Sequence, residues 1–287
     1  MASFSHITSK CFVNVPYERL KQDLDLVLRE RIQPEIGLDG DILYTTASSE
    51  FENLAAILQD ADLPCTLHAP FFELSPGAID ENIRRVSTEK LKKAFALIAV
   101  FKPASIVCHL NYDEKLYRLR QQEWLHHSVA TWRELLGIAE RHNTPIMLEN
   151  TYEFDPTHHL EVLKALDSPY ARFCLDVGHV MAFAKNTWQD WLPALEPWLG
   201  QLHLHDNLGD TDSHLAIGRG RFDFVELFNY LESRHLSPIL TLEPHTEDDL
   251  WESLATLDKT GLLNSIGTTD DRNTESRFCP SPRSHSI

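Results

Sequence analysis

Residues 145–177, PIMLENTYEFDPTHHLEVLKALDSPYARFCLDV, contain one complete repeat of the pattern that decides the fold. An apolar run, Pro145 to Glu149, ends on a carboxylate, and a helical stretch, His158 to Leu166, follows it. A second apolar run, Arg172 to Val177, then carries Asp176 near its end. Short runs rich in Val, Ile, Leu, Cys or Thr, separated by amphipathic helical stretches, are the mark of parallel βα units.

The same unit recurs in both directions. Further strands are predicted near Lys10 to Asn14, Pro34 to Leu38, Pro64 to His68, Ser105 to Leu110, Gln201 to His205 and Ile239 to Glu243, about eight in all. Helical stretches lie at Tyr17 to Arg31, Ile79 to Phe101, Gln121 to His142, Trp188 to Trp198, Phe224 to His235 and Asp248 to Asp258. Eight such units closing on themselves make an α/β fold, a single (β/α)8 TIM barrel, whose active site sits at the C-terminal ends of the strands. The competing doubly wound sheet wants a Gly-rich phosphate turn after its first strand, and Asn14-Val15-Pro16 supplies none. The expected organisation is one barrel domain over residues 1–263 and a disordered C-terminal tail over 264–287. In that tail Ser, Thr, Asp, Arg and Pro leave too little apolar surface to offset the entropy of ordering.

With 43 acidic against 26 basic residues in 287, the formal net charge is -17. Such a field repels polyanions, so no nucleic acid partner is expected. The N-terminus lacks an apolar signal core, and the longest apolar run, Ala94 to Phe101, is too short to span a bilayer, so a cytoplasmic location and no membrane contact are expected. Five cysteines, odd in number and without CxxC spacing, read as reduced thiols; Cys65, Cys108 and Cys174 fall inside predicted strands as small core residues.

Chemistry gathers where the strands end. His68, His109, Glu149, Asp176, His203 and Glu243 each close an apolar run, so a closed sheet brings them to one mouth. Imidazole and carboxylate donors without thiolates suit zinc or manganese and leave positions open for water or substrate. Beyond them lie Asp176-Val177-Gly178-His179, His203-Leu204-His205-Asp206-Asn207, Asp212-Ser213-His214 and Gly218-Arg219-Gly220-Arg221. Trp188, Trp191 and Trp198 share helical spacing and read as core packing, while the doublets His126/His127 and His158/His159 read as solvated helix faces.

This ordered series resembles the xylose isomerase-like TIM barrels, and within them the AP endonuclease family 2, endonuclease IV-like branch, over about His68 to Glu243. The resemblance implies that His68, His109 and Glu149 hold a first divalent ion, that Glu149 bridges to a second held with Asp176, His203 and Glu243, and that His179, Asp212 and His214 hold a third. His205 stands where the endonucleases have Asn, and it is assigned with Arg219 to substrate contact. Two or three zinc or manganese ions per chain are the expected cofactors.

Two chemistries follow. The first is phosphoester hydrolysis on a small phosphorylated substrate, for which relatives that open the nucleotide loop of a cobamide offer a pattern; several ions would activate water and neutralise phosphate charge. The alternative is a single-metal sugar or sugar-phosphate isomerase or epimerase, in which Glu149 and Glu243 are the catalytic groups that move a proton beside a carbonyl. A third class, a non-catalytic barrel serving as a binding module, would be expected to lose ligands, and none is lost. General DNA repair is set aside on charge. Binding to an abasic DNA duplex, followed by fluorescence anisotropy, should be weak and fall steeply with salt; efficient incision of that duplex at physiological salt would contradict this reading.

Overall fold

The computed structural model describes residues 4–264. The expected tail from 265 onward lies outside the described residues. Eight strands close in sequence order into one barrel. They are β1 (Phe12–Pro16), β2 (Gln33–Gly37), β3 (Thr66–His68), β4 (Ile106–His109), β5 (Ile146–Glu149), β6 (Ala171–Asp176), β7 (Leu199–Leu204) and β8 (Ile239–Leu242). Every neighbouring pair is parallel, and β1 closes on β8 through Phe12↔Thr241 and Val13↔Leu242. The expected α/β barrel is thus the fold, with strand ends moved by a residue or two.

Strand alternation divides each strand between two environments. Outward residues such as Ile36, Leu67, Cys108, Leu148, Leu175 and Leu202 enter the main hydrophobic core beneath the helices. Inward residues stack in layers, as successive positions of one strand face must. Phe12, Val107, Met147, Cys174 and Ile239 form an apolar floor. Above it lie Glu35, Thr66, Gln201 and Thr241, all fully buried. One step further up come His68, His109, Glu149, Asp176 and His203, and the register sets His109 beside Glu149 and Asp176 beside His203. The ligand-type residues are therefore the top layer of the barrel interior.

Outside the barrel the helices fall largely where the amphipathic pattern predicts. Two of them break: the first stretch divides at Asp23 into Tyr17–Gln22 and Leu24–Glu30, and the second at Leu97 into Glu81–Ala96 and Ile98–Phe101. Trp188 and Trp191 are buried, as expected, and Cys11, Cys65, Cys108 and Cys174 are buried free thiols. No helix of the described residues is long and apolar enough to cross a membrane.

One helix face departs from expectation. His158 and His159 do not face solvent: they are 9% and 0% exposed. The helix Thr157–Leu166 is wedged against the helix Gln121–Arg141, so His158 packs on Tyr112 with ring centroids 3.7 Å apart and His159 sits edge-on to Phe173 and Trp191. Burial drives the His159 pKa from 6.5 down to about 3, with the Glu149 main chain only partly offsetting it. Its ring is neutral in the folded protein at pH 5, whereas in the unfolded chain it takes up a proton. A depressed imidazole pKa therefore removes stability as pH falls below about 6.5, by about 2 kcal/mol between pH 7 and pH 5. Urea melts at the two pH values should show His159→Leu losing less stability on acidification than the native protein by about that amount; equal losses would contradict this assignment.

Candidate functional site

His68, His109, Glu149 and Asp176 are the last residues of β3, β4, β5 and β6; His203 is the penultimate residue of β7, and Glu243 directly follows β8. The segments after β6 and β7 add His179, His205, Asp212 and His214. Local structure fixes their angles. Asp176 caps the helix Val177–Phe183 by accepting the His179 amide at 2.6 Å, and its other contacts hold it in the mouth. Gly178 is obligatory here, because a Cβ would meet the His205 ring at 2.0 Å. His214 adopts a left-handed backbone with φ 46, which lays its ring between His205 and His245, each at 3.8 Å between centroids.

His68, His109, Glu149, His179, Asp212, His214 and Glu243 line a cavity of about 370 Å³ whose rim carries Asn14, Asp39, Phe71, Phe72, Tyr152 and His245, while Asp176, His203 and His205 are buried and do not reach its wall. Its lining includes no lysine or arginine. Three candidate groups can be drawn here, the first two sharing Glu149 and the third sharing no residue with them; a fourth set joins Glu35 to His68, His203 and Glu243. His68 and His109 bring Nε2 to 3.2 and 3.0 Å from Glu149 Oε2. His203 Nδ1 lies 3.0 Å from Glu243 Oε1, 3.4 Å from Glu149 Oε1 and 3.9 Å from Asp176 Oδ2. His179 and His214 bring Nε2 to 3.3 and 3.2 Å from Asp212 Oδ2, with His205 Nε2 at 3.7 Å from Asp212 Oδ1. In each group the candidate donor atoms lie within 4.8 Å of one another. The nine ligand residues expected from the sequence are thus brought together, and His205 joins the third group.

The outer nitrogen of each ring tests whether a cation fits. His68, His179 and His214 place Nδ1 against the carbonyls of Ala69, Asn150 and Glu243 at 3.0, 2.9 and 2.9 Å. His109 Nδ1 meets the Thr151 hydroxyl at 2.9 Å, and His203 Nε2 meets Glu35 Oε1 at 3.1 Å. With one nitrogen tethered outside, the other presents its lone pair to a carboxylate, which is how metal-binding histidines are oriented. Either a proton or a cation must lie between. Protons do not satisfy the whole set: Glu149 Oε1, His203 Nδ1, His205 Nδ1 and Asp212 Oδ1 are buried with no hydrogen-bond partner. Donor chemistry and unsatisfied atoms together fit a divalent ion.

Without that ion, the cluster holds protons tightly. Burial opposes charge on His68 and His214, yet Glu149 and Asp212 outweigh it and lift both pKa values to about 9. Burial likewise works against His179 and His203, and the surrounding carboxylates raise them well above the usual imidazole range. On the acidic side burial would raise Asp176, but His179 and His205 bring it to about 2; Glu149, Asp212 and Glu243 are also lowered against burial by neighbouring imidazoles. A divalent ion competes with protons for these same positions.

Arg219 is not brought to the cluster. Its guanidinium pairs with Glu252, and its side chain is 64% exposed. The reason is the loop: Asp206 accepts the amides of Gly218, Gly220 and Phe222, tying the turn down and directing Arg219 outward. Asn207 O and Asp206 Oδ1 would lie 2.2 Å from a Cβ at residue 220, so this turn needs glycine there. Sequence reasoning passed over two residues that matter. Glu35 lies under His203, and its signal was a lone carboxylate inside an apolar strand. His245, stacked on His214, lies two residues beyond Glu243 and gave no such signal.

Residues 34–260 match the family described as xylose isomerase-like TIM barrel. Two proteins of Methanocaldococcus jannaschii are similar: MJ1311, 27% identical over 63% of this chain and 64% of its own length, just under two thirds, and MJ1614, 26% identical over 78% and 86%. Among solved structures, a D-tagatose 3-epimerase-like protein superposes with a TM-score of 0.76 at 23% identity, covering 88% of this chain and 98% of that one. The TTHB071 protein from Thermus thermophilus, soaked with ZnCl2, gives 0.75 at 22% identity over 90% and 100%. At these identities the likeness to the solved structures is one of fold.

Glu149 belongs to two of the four groups and Asp212 to one. Metal analysis by mass spectrometry on protein purified without chelator should therefore find at least one divalent ion per chain, with Glu149→Ala removing more metal than Asp212→Ala. A stoichiometry near one, unchanged by Asp212→Ala, would leave the third group without a metal role.

Proposed function

The chain belongs to the xylose isomerase-like TIM barrel family, and from that premise we propose a divalent-metal-dependent isomerase or epimerase acting on a small sugar-like substrate. One observation carries the reading: Glu149 and Glu243 face the same buried imidazole, His203 Nδ1, at 3.4 and 3.0 Å, and both open on the mouth cavity. When bound, an ion held by Glu149, Asp176, His203 and Glu243 supplies Lewis-acid polarisation of a carbonyl. The protein's own groups move the proton. One ionised carboxylate can take a proton from the carbon beside the carbonyl of a bound ketose and return it to the neighbouring carbon while the hydroxyl proton passes to the former carbonyl oxygen; for epimerisation the other carboxylate, entering protonated, delivers its own proton to the opposite face. Asn14 Nδ2 donates to Glu243 Oε1 at 3.1 Å and orients that carboxylate. Phe71, Phe72 and Tyr152 add aromatic edges to the rim.

Substrate class follows from the lining. With no lysine or arginine in the cavity and Asp39 on its rim, the protein offers a phosphate no guanidinium or ammonium group, whereas carboxylates and imidazoles suit hydroxyl groups. Similar folds also include a D-psicose 3-epimerase with D-tagatose and an L-ribulose 3-epimerase, at 16% and 12% identity. Both points support isomerisation over the phosphoester hydrolysis preferred on sequence grounds.

Hydrolysis is the second reading, and a specific feature favours it: the groups built on His68 and His109, and on His179, His205, Asp212 and His214, exceed what one ion needs. The enzyme purified with Mn²⁺ or Zn²⁺ is to be screened against a ketose panel and against phosphodiesters, including a nucleotide-loop cobamide. The expected result is an isomerised or epimerised sugar with no phosphoester cleavage, lowered by about 10²- to 10⁴-fold in Glu149→Gln and Glu243→Gln. Phosphodiester cleavage lost in Asp212→Ala, with no sugar turned over, would replace this reading by the second.

A further inference from the structure

We infer that Glu35 is a positioning residue: it holds His203 with its proton on Nε2 and thereby commits Nδ1 to the divalent ion. The inference rests on the reading that Glu149, Asp176, His203 and Glu243 hold such an ion. Glu35 stands one layer below them on β2, 0% exposed, where an unpaired carboxylate would be strongly disfavoured. Both of its oxygens are engaged. Oε1 receives Asn14 Nδ2 at 3.2 Å and pairs with His203 Nε2 at 3.1 Å, a nitrogen that also has Gln201 Nε2 at 3.3 Å; Oε2 receives Thr66 Oγ1 at 2.9 Å, Gln201 Nε2 at 2.6 Å and Thr241 Oγ1 at 3.2 Å. A carboxylate ringed by donors on both oxygens has no free lone pair for an ion, so Glu35 is not a ligand itself, although it lies near His68, His203 and Glu243.

His203 differs from the other tethered rings in two respects. The outer partners of His68, His109 and His214 are carbonyls or a hydroxyl, and His179 Nδ1 has Asn150 O at 2.9 Å with Glu149 Oε1 at 3.2 Å, whereas His203 turns its outer nitrogen to a carboxylate of the layer below. It also turns Nδ1 inward where they turn Nε2. A carboxylate accepting the outer proton fixes the tautomer and makes the inner nitrogen more basic, and outer partners of this kind change metal affinity by about 10- to 100-fold. The rest of the network holds Glu35 in turn: Gln201 Oε1 accepts from Ser105 at 2.7 Å and spans Glu35 and Thr241 with its amide nitrogen.

Glu35→Gln keeps the shape and one acceptor oxygen while removing the charge; the Thr66 and Thr241 hydroxyls can rotate to accept from the new amide. By chelator competition with Zn²⁺, this variant should bind one ion about 10- to 100-fold more weakly, at unchanged saturating stoichiometry, while its metal-free melting temperature stays within a few degrees of the parent. Long-range ¹H–¹⁵N spectra of the zinc-loaded parent should show the His203 proton on Nε2, and that measurement stands even if the variant does not fold. Affinity within twofold of the parent, or a proton on Nδ1, overturns the inference; loss of a whole ion at saturation would make Glu35 a ligand and overturn it too. A parent protein that binds no zinc would instead defeat the underlying metal reading.

Discussion

Mutual repulsion among buried carboxylates is the constraint on which the rest of this structure turns. Glu149, Asp176 and Glu243 are each buried, and each brings an oxygen within 4.8 Å of the others around His203. At that separation each of the three pairs costs at least about 3 kcal/mol at an effective dielectric near 20, roughly 10 kcal/mol together. That is comparable to the whole stability of a typical domain, about 5 to 15 kcal/mol. Positive charge must therefore occupy the mouth. The histidines supply it as protons in the metal-free protein, and a divalent ion supplies it more compactly and also satisfies the atoms that protons leave without partners.

The barrel makes such a concentration of charge possible. Parallel strands all deliver their C-terminal ends to one rim, and alternation lets one face of a strand carry both an apolar floor residue and, two positions on, a ligand: Val107 and His109, Met147 and Glu149, Cys174 and Asp176. Between floor and rim, the Glu35, Thr66, Gln201 and Thr241 layer is a closed hydrogen-bond network that ties β2, β3, β7 and β8 together directly beneath the site. A network satisfied in this way rigidifies the residues above it. The cost of burying these polar groups is met by the main hydrophobic core between barrel and helices, which is separate from the apolar floor.

Much of this was legible in the sequence, because both signals are local. The βα alternation needs only the lengths of apolar runs, and a ligand at the end of a run needs only its neighbours. What escaped depends on three-dimensional packing. His158 and His159 sit on a helix whose neighbours cover them, and no periodicity within one helix reveals what lies against it. Arg219 is close to His214 along the chain, yet the Asp206-held turn sends it to Glu252. Glu35 was missed because it lies within a strand and not at its end; a charged residue at an inward position, two before Gly37, was the available signal. His205 was read as facing substrate, since only the folded loop shows Asp212 within reach of it.

Calorimetric melting of the stripped protein, titrated with Zn²⁺ or Mn²⁺, tests the central claim most directly. An ion that binds only the folded state stabilises it by about 4 kcal/mol at roughly a thousandfold excess over Kd. For a domain of this size that should raise Tm by roughly 10 °C, rising about logarithmically with free ion above Kd, and Glu149→Ala should cut the rise sharply. A Tm indifferent to both metals, in native protein and variant alike, would show that the buried imidazoles and carboxylates satisfy one another and that no metal centre exists.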